Sequence, residues 1–581
     1  MTTHLLALTV GPVQGFIAAA RRTRDLWLGS YLLSEISKAA AKAVHDNGGE
    51  LIFPAPSNAA DLEPDSPLNV GNVILAELCG ADPTTVARAT KAAARARWRQ
   101  FADKVFEEFQ AFIRADIWDD QVDDVIEFYA AWAPSSPQTY RADRAKLMRL
   151  LAGRKSCRDF RPAKGRAEIP KSSLDGLRES VLRRAKEWPE HSRHRLRVHE
   201  GEQLDVVAMM KRTAGGSRPY PSVERVAADP WLRGVGRERV KALTAVCERL
   251  HSKGLHHLDT SAARGHPQYD DFPFEGTAAF RSRYREFQAE TELSDSDLEP
   301  LIHALSALTR DFGEPNPYLA VLVADGDHIG QALSQLSCPG DHRIFSQALA
   351  NFAGQARQII HTHNGILVYA GGDDVLAFAP VDRSLSCARA LYDKFGELLG
   401  TWSTKTKTGL TLSVGLAVAH FMEPLEDLLK YGREAEKHAK RPRIEDGEQA
   451  QRNGLAVHVL KRGGGPITVR ANWSAEPDRH LQTLARWIAE RAISGRVAYD
   501  LRSIAGVYDT WPADTVKDAI QRDTLSVMKG KQPLGESRMP EVEKLIRGRV
   551  AGGDSLRRLA AELLVARQLA LAIGQQRSTH G

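Results

Sequence analysis

The chain has 581 residues, 43% of them hydrophobic and 26% charged, which predicts a soluble, globular protein of several domains. No apolar run reaches the ~18 residues that a membrane-spanning helix needs. A net charge of +6, from 79 basic and 73 acidic residues, permits a nucleic-acid partner without demanding one. The N-terminal stretch MTTHLLALTV lacks a basic region and a small-residue cleavage site, so no signal peptide is read there. Cys79, Cys157, Cys247, Cys338 and Cys387 are scattered and fall in no metal-ligand spacing. Both features predict a cytoplasmic protein without disulfides and without structural zinc.

The segment HLLALTVG (4–11) predicts a strand. A long helix follows from Pro12, with apolar positions at Phe16, Ile17, Leu26, Leu28, Leu32, Leu33 and Ile36, and stops at Asn47-Gly48-Gly49. ELIFPAP and NVILAEL are candidate strands, and 83–116 reads as a second long helix. The order β-α-β-β-α opens a ferredoxin-like unit, assigned to residues 1–118. Residues 119–312 show few strand patterns and read as a mainly helical middle domain. Its basic run RRAKEWPEHSRHRLR (183–197) has a solvated helix face or loop as one reading and an RNA or partner contact as the other.

Strands return at PYLAVLVAD (317–325), whose nearly continuous apolar run predicts a central strand. A helix over 343–362 stops at Asn364-Gly365. ILVYA-GGDD-VLAFAP then reads as two strands around a four-residue tip. A helix (383–400), strand LTLSVGLAVAHF (410–421), a helix (424–441) and strand GLAVHVL (454–460) complete a second β-α-β-β-α-β unit, residues 313–472. The remainder, 473–581, reads as a helical C-terminal domain. The fold class is α+β, with two ferredoxin-like palm domains, the second carrying GGDD.

In such a sheet the first strand is central and lies beside the hairpin. Asp325, followed by Gly326 and Asp327, therefore converges with Asp373 and Asp374 at one sheet edge. So many carboxylates in one place are costly unless a cation sits among them. Oxygen ligands without Cys or His favour Mg²⁺ or Mn²⁺, which keep waters and share their shell with phosphates. Gly371 and Gly372 remove side chains where a triphosphate would approach the backbone. The bland reading makes GGDD a solvent turn and Asp325 an unrelated strand end.

GPVQGFIAAARRTRDLWLGSYLLSEISK (11–38), the tip Gly371-Gly372-Asp373-Asp374 and NGLAVHVLKRGG (453–464) resemble the polymerase-like large subunit of type III-B CRISPR effector complexes, the Cmr group. KSSLDGLRESVL (171–182), GEQLDVVAMMKR (201–212) and YPSVERVAADP (220–230) extend the resemblance over nearly the whole chain. It implies two palm-like domains, helical middle and C-terminal domains, and a role in RNA-guided antiviral defence. In that role target RNA paired to the guide switches on the GGDD palm, which joins ATP into cyclic oligoadenylate messengers. It implies other Cmr-type subunits as partners, a small subunit and a guide-end-binding subunit among them, with crRNA and target RNA held through the complex. Asp373, Asp374 and Asp325 match the metal-binding acids, with Asp327 following in the D-x-D pattern. Ala435-Glu436-Lys437-His438-Ala439-Lys440 looks like the A-x-x-x-A-K helix of related cyclases, which makes Lys440 the triphosphate ligand. A second nucleotide is expected against the first palm, near the helix carrying Gln14 and Ser30; plain helix packing is the competing reading there. The apolar positions Leu481, Leu484, Trp487 and Ile488 are expected to cap a neighbouring small subunit.

The sequence departs from the group's pattern twice. Many members begin with an HD nuclease domain, whereas here the first palm strand begins at residue 4 and His45-Asp46 sits at a helix end. Many also bind zinc in the middle domain through four cysteines, where the matching region of this chain, around GRKSCRDF and KSSLDGLRE, holds only Cys157. Neither DNase activity nor zinc is expected. Other readings remain: the same site joining ATP to an acceptor such as S-adenosylmethionine, a free-standing diguanylate cyclase, or an inactive scaffold for crRNA. GGDDV lacks the Glu of diguanylate cyclases, and the intact acid set argues against a scaffold.

Overall fold

The structure is a computed structural model and describes residues 2–157, 165–184, 187, 188, 196, 198, 201–215, 220–252, 267–285, 294–441, 452–509, 511–530 and 538–577. Most of the basic run at 183–197 lies outside these residues.

Strand β1 (Thr3–Gly11) buries Leu5 to Val10 without a break, so it must be covered on both faces and flanked on both edges. It pairs antiparallel with β3 (Val73–Cys79) on one side and β4 (Glu127–Pro134) on the other, while β2 (Gly49–Phe53) pairs with β3. The sheet order β2-β3-β1-β4 is that of a ferredoxin-like unit. The helices Thr23–Asp46 and Pro83–Phe109 pack on each other, with Leu32, Ile36, Ala94 and Trp98 in the shared core. The unit takes its fourth strand from beyond residue 118, where the sequence pattern placed the domain's end. β4 is half-exposed and alternates imperfectly, which hides it from a periodicity reading.

The second sheet repeats the plan. Strands β5 (Tyr318–Asp327), β6 (Ile366–Gly371), β7 (Asp374–Ala379) and β8 (Thr411–His420) lie in the order β8-β5-β7-β6, with β5 central and antiparallel to both neighbours. β9 (Gly454–Val459) adds parallel to β8, and β10 (Ile467–Asn472) closes the edge as an antiparallel partner of β9. The sequence reading did not include β10, a partly exposed edge strand after a glycine-rich turn.

The helix Leu425–Ala439 lies against this sheet at backbone distance. A Cβ added at Gly415 of β8 would stand 2.1 Å from the backbone nitrogen of Glu436. One at Gly432 would meet Val321 and Val323 of β5 at 2.8 and 2.9 Å, and one at Gly454 the carbonyl of Ala439 at 2.3 Å. Three glycines thus fix the height of this helix above the central strands.

The middle region, with helices Tyr140–Ser156, Val206–Thr213, Val223–Val235, Arg237–Ser252 and Asp295–Phe312, is tied to the first palm by buried charge. Arg212 donates to Asp25 at 2.7 Å and pairs with Glu202 at 3.0 Å, all three being buried. Burial works against an ionised Asp25, but the Arg212 guanidinium overrides it and holds the carboxyl below its usual range. Lys211 donates to the carbonyls of Phe16 and, at 2.8 Å, Ala19, closing the end of the Gln14–Ala18 helix.

The C-terminal helices Pro477–Ala489, Val497–Val507, Ala513–Gly530, Met539–Arg549 and Gly553–Arg577 share one core with the second sheet. This corrects the expectation for its apolar face. Leu481, Leu484 and Trp487 are buried and Ile488 packs beside them, within a core to which the Gly553–Arg577 helix contributes. Intramolecular packing has used the surface that was expected to cover a partner.

Candidate functional site

The GGDD tip is tighter than its sequence suggests. Gly371 pairs with Asp374, leaving a two-residue loop of Gly372 and Asp373. Gly372 has φ +81, whereas Asp373 has no positive φ, the pattern of a type II′ hairpin turn with glycine at its first central position. A Cβ at Gly372 would meet only Leu349, at 3.9 Å, so the backbone here is open to approach. Gly371 has a different reason. A Cβ there would lie 1.6 Å from the Tyr369 hydroxyl, so this glycine makes room for a tyrosine ring rather than for a ligand.

The antiparallel register of β5 with β7 sets Ala324 against Val375, and hence Asp325 opposite Asp374. Gly326 completes the approach, since a Cβ there would stand 2.8 Å from the Cβ of Asp373. Asp325, Asp373 and Asp374 each present a carboxylate oxygen within 4.8 Å of the others. Burial, with the Asp325 charge second, pushes the Asp373 carboxyl up to about 6. Asp374, the most exposed of the three, is raised as well, by desolvation first, then by its hydrogen bond to Asp325 and by the Asp373 and Asp325 charges. Such carboxyls resist ionising together until a cation arrives.

The donor set fits a hard divalent ion. Mg²⁺–oxygen distances of about 2.1 Å let one ion span oxygens up to roughly 4.2 Å apart. A spacing within 4.8 Å is of the order that a shared ion requires.

Lys440 follows the Leu425–Ala439 helix and reaches the cluster, where its ammonium pairs with Asp325 and with Glu436 at 2.5 Å. Burial works against its charge, but these carboxylates raise its pKa. Asp327 does not join the acids. It is fully buried, accepting hydrogen bonds from Ser413 Oγ at 2.8 Å, Thr411 Oγ1 at 2.7 Å and the Asn453 backbone N–H at 2.9 Å. Its geometry is that of a brace between β5, β8 and the start of β9 rather than of a metal ligand. Ser30 is buried on the Thr23–Asp46 helix, and among the described residues no hydrogen bond joins it to the acids. Gln14 opens the five-residue helix Gln14–Ala18, and its side chain lies outside the described residues. The first palm does touch the hairpin: Asn69 donates to the carbonyl of Ala370 at 3.1 Å, and the Thr23–Asp46 helix packs on β6.

Sequence reasoning missed Gly326, Tyr369 and Glu436. Gly326 was readable, since a glycine between two aspartates at a strand end signals close approach. Tyr369 and Glu436 carry no such signal.

Residues 318–456 match the family described as Cas10/Cmr2, second palm domain, and residues 5–103 the family described as CRISPR-associated protein Cmr2, N-terminal. The CRISPR system Cmr subunit Cmr2 of Pyrococcus furiosus is 26% identical over 275 residues, 42% of this chain. The match spans 30% of that relative's length. The fold is similar to a chain of the type III-B Cmr-beta complex in its apo state, with TM-score 0.65, 13% identity, and coverage of 92% of this chain and 78% of that one. The same complex bound to cognate target RNA gives 0.66, 13% identity and coverage of 92% and 79%. Residues 5–103 and 318–456 are thus similar, in chain order, to the Cmr2 N-terminal region and to the second palm domain of Cas10/Cmr2, and the fold is similar to that of the Cmr-beta chain along most of its length.

Proposed function

We propose that this chain is the nucleotidyl-transferring large subunit of an RNA-guided antiviral complex, and that it makes cyclic oligoadenylates from ATP. The observation that carries the reading is the convergence of Asp325, Asp373 and Asp374 beside an open glycine turn, with Lys440 at hand. The 3′-hydroxyl oxygen of one ATP attacks the α-phosphorus of another. The bond from that phosphorus to the bridging oxygen breaks, pyrophosphate leaves, and the hydroxyl proton passes to solvent. Mg²⁺ or Mn²⁺, when bound, supplies Lewis acidity to the phosphate and the attacking hydroxyl. Asp325, Asp373 and Asp374 would hold that ion. Lys440 exchanges its pairing with Asp325 for the triphosphate once the acids are neutralised, and the bare backbone at Gly372 lets the phosphates come close. The chain works beside a small subunit, a guide-end-binding subunit, crRNA and target RNA, the assembly its Cmr-type relatives suggest.

The test is mass spectrometry of the products made by the reconstituted complex with target RNA, with ATP alone and with ATP plus S-adenosylmethionine. Cyclic oligoadenylates from ATP alone support the reading. A product that forms only when S-adenosylmethionine is present replaces it with adenylation of another acceptor.

A further inference from the structure

At the far end of β5 from the acids, a groove of about 710 Å³ opens between residues 312–317 and the C-terminal helices. Its distance from the acid cluster is set by the strand: Asp325 lies nine positions after Asn316, roughly 30 Å of extended chain. Arg491, Arg496 and Arg567 line it, and among the described residues no hydrogen bond or ion pair joins any of their guanidinium groups to an acid. Gly495 is part of the arrangement, since the stem of Arg567 lies 3.1 Å from where a Cβ would stand. The one acid in the lining, Glu314, faces Arg281 at 3.7 Å. Guanidinium groups gathered without counter-charges repel one another and attract an anion.

A second, independent feature points the same way. Asn316 is 8% exposed, and among the described residues its side-chain nitrogen has no hydrogen-bond partner, although its oxygen accepts from the Tyr318 N–H at 3.3 Å. On the Gly553–Arg577 helix the side-chain oxygen of Gln575 is also buried and has no partner among the described residues. A donor and an acceptor, both desolvated and unpaired, are each costly by about 1–3 kcal/mol unless something meets them. Between them and the arginines, Ile488 and Leu571 give an apolar wall. Leu571 is 54% exposed, although its neighbours Leu569, Ala570 and Ala572 are buried.

We propose that this groove binds a nucleoside phosphate, free or as an unpaired residue of an RNA strand, at a site separate from the acid cluster. The phosphate pairs with Arg491, Arg496 and Arg567. The base lies on the apolar wall and exchanges hydrogen bonds with the Asn316 nitrogen and the Gln575 oxygen. The volume lies within the range of pockets that hold a ligand of that size. Because Asn316 leads directly into β5, occupancy also fixes the root of the strand that carries Asp325.

The experiment uses the full chain carrying Asp373→Ala and Asp374→Ala, with chelator present, so that the palm contributes no metal-dependent binding. AMP, ATP and a short unpaired RNA are titrated by calorimetry, and inorganic phosphate is run as a competitor. Saturable binding of at least one nucleotide probe is expected, with Arg496→Ala plus Arg567→Ala weakening it at least about tenfold. Tighter binding of RNA than of AMP identifies a strand as the source; the reverse identifies a free nucleotide. Photo-crosslinking of an azido-adenine probe to the unmutated chain should label peptides around 312–317, 488–496 or 567–575, and needs no variant to fold. The absence of saturable binding overturns the proposal, as does unchanged affinity in the arginine variant or labelling confined to the palm. Loss of cyclase activity in other assays leaves these readouts untouched, so failure here is distinguishable from failure of the proposed catalytic function.

Discussion

Gly371 shows how narrowly single residues define this site. The Tyr369 ring occupies the space its side chain would need, and burial, with the Asp374 and Asp373 charges adding, raises the Tyr369 hydroxyl well above the ordinary phenol range. Gly371→Ala must therefore push the ring aside, at about 1–3 kcal/mol for an overpacked position. We expect the substitution to cost less in a Tyr369→Ala background, because the clash is gone. A double-mutant cycle on thermal unfolding reads that coupling, and strict additivity would show that the two residues do not meet. Lys440 gives a second prediction. Its pairing with Asp325 and Glu436 places its charge where the triphosphate is proposed to sit. Lys440→Met should raise the KM for ATP by about tenfold or more, in line with loss of a charge-assisted hydrogen bond, while the fold persists. An unchanged KM would make Lys440 a structural partner of Asp325 alone. The acids themselves were legible as residues. The division of labour between Asp325 and Asp327 was not, because Thr411, Ser413 and Asn453, which claim Asp327, lie far along the chain.

At the scale of elements, the two ferredoxin-like units could be read from the sequence because β1 and β5 are long apolar runs followed by amphipathic helices. What stayed hidden were the edge strands β4 and β10, whose partial exposure blurs alternation, and the packing of the C-terminal helices. An apolar stripe such as Leu481, Leu484 and Trp487 specifies burial but not what covers it. The height of the Leu425–Ala439 helix is another property invisible to periodicity, since it depends on three glycines from three elements. Gly415→Val should lift that helix from β8 and displace Lys440. We expect a loss of about 2–4 kcal/mol in stability, in the range of a serious core lesion, together with a fall in turnover. Wild-type melting and activity in Gly415→Val would show that the contact is not a constraint.

For the whole molecule, the buried pairing of Arg212 with Asp25 and Glu202 and the contact of Asn69 with the hairpin at Ala370 make the first palm, the middle region and the GGDD palm mechanically continuous. Activation by target RNA, which the resemblance of the sequence implies, would need such continuity, since RNA can act on the acids only by favouring one arrangement of packed elements over another. A net charge of +6 over 581 residues is weak for tight RNA binding by the chain alone, because affinity follows the number of phosphates neutralised. Guide and target should therefore act through the assembled complex. The most direct measurement is conversion of labelled ATP to oligoadenylate by the isolated chain, by the complex with guide alone, and by the complex with guide and cognate target, each with and without Asp373→Ala plus Asp374→Ala. The account predicts strong synthesis only in the target-bound complex with both acids present, and normal assembly of the double variant. Turnover that survives loss of both acids would contradict it.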